Sequence, residues 1–472
     1  MKNNHIIEDI YQLTPVQKGM LFHCLYDSEL SLYFFQHIFT IRGNLKLDMF
    51  EKAWQLVIDR HPILRTSFYW EEVESPLQIV YHQVKVPLTY YDWSDMDSAK
   101  QKNQLEAFII SDRQKSFDFS EPCLMRHTLI RTTNDSYQYI WSMNHIIIDG
   151  WGGSLVFQEF LEIYGALCKN QQISLASTRP FRDYIDWLEQ QDISKAENFW
   201  REALQGIKAP TPLTYIEKTR TTDQLSTEEI RYSEEIIQLS LTSTKALQSF
   251  ATQHHLTLAT IFNGIWAILL SRYSCCTNIL YGCTVTGRPA DLNAVESMVG
   301  MFVNTLPIHV NLDTEQVLLS WLQRFQLQLV EVRDYEYTPL KEAHKWSELP
   351  PNSTLFESIV VIENFPVSEF IRNWKGNITF EHKELYYRNN YPLNLVVYPN
   401  QELLIALSFD NRRFDRDTTT GILEDIENLL QELIVNPNIQ IQDLNFFTPE
   451  QQQVTSMLEK EALFDWSFSL AS

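Results

Sequence analysis

The run NHIIIDG at residues 144–150 sets an imidazole, a carboxylate and a glycine inside a short apolar stretch. An imidazole titrates near neutral pH, so His145 is suited to accept or relay a proton. Asp149, four residues on, is the kind of group that can orient such a ring, as in a His–Asp dyad. Gly150 permits a tight turn where a side chain would obstruct, and its backbone N–H can face a developing oxyanion. Other chemistries lack their residues. The sequence has no HExxH, no cluster of Cys and His, no glycine-rich phosphate loop and no GxSxG elbow, so no metal, bound ATP or serine nucleophile is expected. The pair His254–His255 has no Asp-Gly after it and reads as a solvated helix end. His23 reads as a core histidine.

The elements around the motif are legible. Tyr137, Tyr139, Trp141 and Met143 alternate with smaller or polar residues, as in a half-buried strand. Beyond the turn at 149–153, Phe157, Phe160, Leu161 and Tyr164 trace one face of a helix. The motif therefore lies where a strand hands over to a helix. A helix-then-strand theme occurs twice. Phe50, Ala53, Trp54, Val57 and Ile58 fall at helical spacing before the β-rich run 63–70, and Asp48 with Glu51 reads as an N-terminal capping pair. Leu258, Ile261, Phe262, Ile265 and Leu269 do the same before a strand at 278–285, which suggests a structural duplication. Residues 207–229, rich in Thr and Pro, read as an exposed connection. The polar tail after about 449 reads as a linker.

Bulk properties narrow the class. A chain of 472 residues exceeds one ordinary core and implies two subdomains in α/β or α+β layers. The 38 Lys and Arg against 60 Asp and Glu leave a net charge of −22, which disfavours nucleic acid and anionic membrane. No stretch approaches the ~20 apolar residues of a membrane span and no secretory leader is recognisable, so a cytoplasmic location is expected. The six cysteines form no CxxC and read as reduced thiols.

The motif 144–150 resembles the HHxxxDG active-site motif of nonribosomal peptide synthetase condensation domains, with Asn144 in place of the first His. LTPVQKGMLFH (13–23), RHPILRTSF (60–68), FRDYIDW (181–187), VGMFVNTLP (299–307), DYEYTPL (334–340) and STLFESIVVIENFP (353–366) resemble further motifs of that family in the same order. The resemblance implies two chloramphenicol-acetyltransferase-like subdomains in a V-shaped pseudo-dimer with a central tunnel. The divisions expected are 1–178, carrying the motif; 179–450, with a floor loop near 285–305 and a latch near 375–395; and a linker-like tail, 451–472.

It also implies an acyltransferase-type enzyme that forms an amide bond between a donor acyl or peptidyl thioester and an acceptor aminoacyl thioester. Both ride on the phosphopantetheine arms of peptidyl carrier proteins, and no cofactor is bound by the chain itself. An adjacent adenylation domain is an expected partner, in a monomer or as the N-terminal piece of a larger multidomain chain. His145 is the central residue, as a general base or by positioning the amine and stabilising the tetrahedral intermediate. By resemblance, Asp149 serves the framework through a buried salt bridge to Arg65, Asn304 braces the floor loop and Trp151 packs. Asn144 can donate and accept hydrogen bonds but carries no proton at neutral pH. Two alternatives remain open: a catalytically impaired or non-catalytic docking domain, motivated by Asn144, and an epimerisation domain.

Overall fold

A computed structural model describes residues 6–26, 32–218, 232–363, 370–371 and 374–444. The chain forms two compact units. The first gathers Met1–Asp192, Thr286–Asn304 and Asn364–Asn390; the second holds Ile193–Val285, Thr305–Glu363 and Tyr391–Ser472. This partition differs from the expected linear division at 178/179. Residues 179–192 and two later excursions belong with the first unit because their apolar side chains fill its core. Phe181, Val295, Met298, Met301, Phe302, Ile378 and Phe380 are all buried there. The expected tail, 451–472, lies outside the described residues.

The first unit is built on a five-stranded sheet in the spatial order Ile378–Tyr387, Phe34–Gly43, Ser136–Asn144, Met125–Arg131, Leu88–Asp92. The first four strands pair antiparallel and the last pairs parallel with its neighbour. Helices Leu47–Arg60 and Gly150–Cys168 pack on one face. Their predicted stripes, Phe50, Trp54 and Val57 on one and Phe157, Phe160 and Tyr164 on the other, are fully buried. A three-stranded sheet, Ile7–Gln12, Leu77–Tyr81 and Thr66–Tyr69, completes the unit.

The second unit carries a six-stranded sheet, in the order Asn304–Asn311, Asn278–Val285, Ser358–Ile362, Leu393–Tyr398, Leu404–Asp410, Tyr232–Gln238. Its core holds helix Leu258–Ser274, with Ile261, Phe262, Trp266 and Leu269 fully buried. No single helix among the described residues is long and apolar enough to cross a membrane. The six cysteines are free thiols, and no group of three or more His, Cys, Asp or Glu placed to hold a metal occurs among the described residues.

Four local expectations are corrected. Strand Ser136–Asn144 is buried on both faces rather than half-buried. Its polar face lies against a buried network in which Asp112 accepts hydrogen bonds from Gln36 (2.8 Å), Ser142 (2.5 Å) and Arg126 (2.9 Å). Asp48 and Glu51 do not cap their helix. It begins at Leu47 without a side-chain cap, and the N–H of its N-cap residue, Lys46, donates to the Tyr164 hydroxyl at 3.1 Å. Residues 62–65 form a 3-10 turn before the short strand Thr66–Tyr69, because proline at 62 favours the start of a helical turn over a ladder position. The connection from 207 is not wholly exposed: Ile207, Leu213 and Ile216 are buried in the second core. Residues 219–229 of it lie outside the described residues.

Candidate active site

The site begins where strand Ser136–Asn144 ends. Phe34 pairs with Asn144 in the ladder, and the next residue continues it, the His145 N–H donating to the Tyr33 carbonyl at 2.8 Å. The chain then turns through a single 3-10 turn, His145–Ile147. Asn144 caps that turn: its Oδ1 accepts from the Ile146 N–H at 3.0 Å and its Nδ2 donates to the Leu32 carbonyl at 3.4 Å. An Asn performs both tasks without needing a charge, so the replaced histidine costs the loop no hydrogen bond that the structure requires. Cys24, beside Asn144, is buried and its thiol is pushed up to about 12 by that burial, which leaves no competing thiolate at neutral pH.

The His145 ring is half-buried in a wall of soft and aromatic groups. Phe35 meets it edge-on at 5.7 Å and Tyr387 at 5.3 Å, and Nδ1 lies 3.3 Å from the Met301 sulfur. Phe35 and Tyr387 are ladder partners, so strand Ile378–Tyr387 sets one side of this wall. Burial pulls the imidazole below the usual histidine value, while the Asp149 carboxylate and the carbonyls of His145 and Ile148 act weakly the other way. The ring is therefore neutral at pH 7, as a proton acceptor must be.

Asp149 does not hold this ring. It is fully buried and caps helix Gly150–Cys168, its Oδ1 accepting from the Gly152 N–H at 2.7 Å. The Arg288 guanidinium donates to both carboxylate oxygens at 3.1 and 3.2 Å, and the Phe302 N–H donates to Oδ2 at 3.2 Å. The lone pairs of Asp149 are thus occupied by the framework, and the His–Asp dyad is not built. The expected partner of Asp149 is corrected: the ion pair is with Arg288 rather than Arg65. Arg65 is buried elsewhere, donating to Glu8 at 2.6 Å, to the Ile58 carbonyl at 3.2 Å and to the Tyr81 carbonyl. Arg288 is fixed in turn by the carbonyls of Val295 (2.7 Å) and Met298 (3.0 Å), and its guanidinium lies over the Phe302 ring at 4.0 Å. That geometry ties the segment 286–304 to the helix start.

The remaining expected residues fall as follows. Gly150 opens the helix, with its carbonyl accepting from Ser154 at 3.0 Å. Trp151 packs half-buried and donates from Nε1 to the Glu296 carbonyl at 2.8 Å. Asn304 is buried at the start of a strand. His254 ends a helix and His255 follows it. His23 is half-buried against Phe22 and Tyr33. Three residues were missed. Arg288 stands in the segment leading to VGMFVNTLP, but nothing in the spacing ranks it above Arg65. Met301 and Tyr387 are apolar or aromatic residues far from 145 in sequence. A fourth support, Gln17, is fully buried and donates to the Ile146 carbonyl at 2.9 Å and to Gln78 at 3.1 Å; it sits inside LTPVQKG, where its type alone marks nothing.

Comparison with known proteins gives these features a family. The chain is 40% identical over 461 residues to one of the subunits of linear gramicidin synthase from Brevibacillus parabrevis, covering 98% of this chain and 6% of that one. Against surfactin synthase subunit 3 of Bacillus subtilis the identity is 30% over 450 residues, covering 95% and 34%. The chain thus spans a minor part of these synthetases. Among solved structures, a four-domain nonribosomal peptide synthetase bound to AMP and glycine matches with a TM-score of 0.80 at 17% identity, over 96% of this chain and 35% of that one. The X-domain from teicoplanin biosynthesis matches with a TM-score of 0.76 at 19%, over 95% and 99%. These likenesses show the fold, two chloramphenicol-acetyltransferase-like units. With the condensation-domain family model matching residues 7–455, the chain belongs to the condensation domains of nonribosomal peptide synthetases.

Proposed function

We propose that this domain forms an amide bond between a donor acyl or peptidyl thioester and an acceptor aminoacyl thioester, with His145 at the reacting centre. The amine nitrogen of the acceptor attacks the thioester carbonyl, a C–N bond forms, the C–S bond breaks, and the thiolate leaves. The proton lost by the amine passes by way of His145 to that thiolate. Both substrates ride on phosphopantetheine arms of carrier proteins, with an adenylation domain as neighbour in a larger synthetase. The observation that carries this reading is the neutral, half-buried His145 ring, whose loop is anchored at Asn144, Gln17 and Asp149. The Gly150 N–H, at the helix start, is the candidate oxyanion donor.

The test mixes the domain with loaded donor and acceptor carriers and follows the condensed product by intact mass. His145→Ala is expected to slow product formation by ~10²–10⁴-fold, the usual worth of a positioned acid–base group. A second reading, recruitment without catalysis, is motivated by the absent first histidine. Undiminished function in His145→Ala would favour it, as would product formed by Asn144→His but not by the parent. Epimerisation would show as inversion of a loaded aminoacyl group with no gain in mass.

A further inference from the structure

We infer that Met301 is a positioning residue that selects the tautomer of His145, holding the proton on Nδ1 so that Nε2 presents its lone pair; this rests on the function proposed above. A thioether carries no hydrogen and can only accept. With Nδ1 3.3 Å from the Met301 sulfur, the tautomer with a bare Nδ1 would set two lone pairs against each other, whereas Nδ1–H makes a weak N–H···S contact. Met301 is itself buried, only 2% exposed, between Met298 and Phe302 of the first core, so the sulfur cannot swing away cheaply. Its segment is held by the Arg288–Asp149 pair and by the Phe302 N–H on Asp149. Asp149 therefore acts on His145 at one remove, by placing the sulfur rather than by touching the ring.

A carboxylate at Nδ1 would select the same tautomer, but it would also favour the imidazolium and raise the pKa. A neutral sulfur orients the proton with little charge stabilisation, in keeping with a ring that burial keeps neutral. The carbonyls of His145 and Ile148, the Asp149 carboxylate, Phe35 and Tyr387 are the other groups facing the ring. The Met301 sulfur is the group placed on Nδ1 itself, so its loss is expected to weaken the preference.

The test is Met301→Leu in the full chain, a swap that nearly conserves volume and is tolerated in cores. Nitrogen-15 chemical shifts of labelled histidine, assigned with His145→Gln, read the tautomer directly. In the parent Nδ1 is expected to be protonated and Nε2 bare; in Met301→Leu the two shifts move toward each other, and the coupling rate falls by about 3- to 10-fold, the scale of one weak hydrogen bond. The thermal midpoint should change little. A parent ring protonated on Nε2, or shifts unaltered in Met301→Leu, would overturn the inference. If the parent forms no product while the shifts behave as expected, the condensation reading fails and the tautomer assignment stands.

Discussion

A carboxylate four residues from a histidine invites a dyad, yet Asp149 spends its oxygens on Arg288, the Phe302 N–H and the Gly152 N–H. Removing either charge leaves the other buried without its counter-charge, a loss of about 3–5 kcal/mol. Arg288→Met is expected to lower unfolding free energy in urea by that amount. In a double-mutant cycle, Asp149→Asn with Arg288→Met should show coupling above ~1 kcal/mol, while Asp149→Asn with Arg65→Met should add within ~0.5 kcal/mol. Additivity in the first cycle would show that the pair is not energetically linked. His145 obeys the opposite logic. Its pKa is lowered by burial, so the fraction of base stays full at neutral pH and the acidic limb of the rate profile should lie below the ordinary value of about 6.5. A limb at or above that value would contradict the apolar wall described for the ring.

At the scale of elements, the site depends on two segments distant in sequence. The segment 286–304 enters through Gly287, whose φ is +61°, and a Cβ there would sit 1.8 Å from the Phe302 carbonyl oxygen. Backbone cannot yield as a flexible side chain can, so Gly287→Ala should displace the segment. Faster amide exchange across 288–302 and at least a tenfold loss of coupling are expected; unchanged protection would mean the turn tolerates a side chain. Strand Ile378–Tyr387, which presents Tyr387, is zipped to Phe34–Gly43. Midway, His37 Nδ1 and His382 Nε2 share a hydrogen bond at 3.1 Å. Burial lowers the pKa of both rings, with His382 adding to the effect on His37 and Glu384 opposing it weakly at His382. Their neutral pairing supports the fold fully above the unfolded value near 6.5, and that support is lost as pH falls through the lower folded values. His37→Gln with His382→Gln should flatten the fall in urea stability between pH 6.5 and 5, and an unaltered slope would exclude the pair as a contributor.

The whole molecule carries a net charge of −22. Like charges spread over two units repel, and salt screens them. Raising NaCl from about 20 to about 200 mM shortens the screening length from roughly 20 to roughly 7 Å, so the melting temperature should rise by a few degrees. A falling temperature would show that surface ion pairs such as Arg201–Glu197 and Lys383–Glu381 outweigh the repulsion. The partition of the chain matters at this scale too. A core that recruits Val295, Met301 and Phe380 cannot be cut out as residues 1–178 without exposing the apolar surface those residues cover.

Periodicity alone placed the buried stripes of Leu47–Arg60, Gly150–Cys168 and Leu258–Ser274, because a helix face repeats within a few residues. The motif likewise placed His145 at a strand-to-helix junction, since those residues are neighbours in the chain. What surrounds that ring was decided by tertiary structure. Arg288 rather than Arg65 meets Asp149, and Met301 and Tyr387 meet His145, through contacts spanning 139, 156 and more than 200 residues. Local pattern carries no information about which distant arginine or methionine arrives. That outcome depends on how the excursions 286–304 and 374–390 fill one core, which is a property of packing in three dimensions.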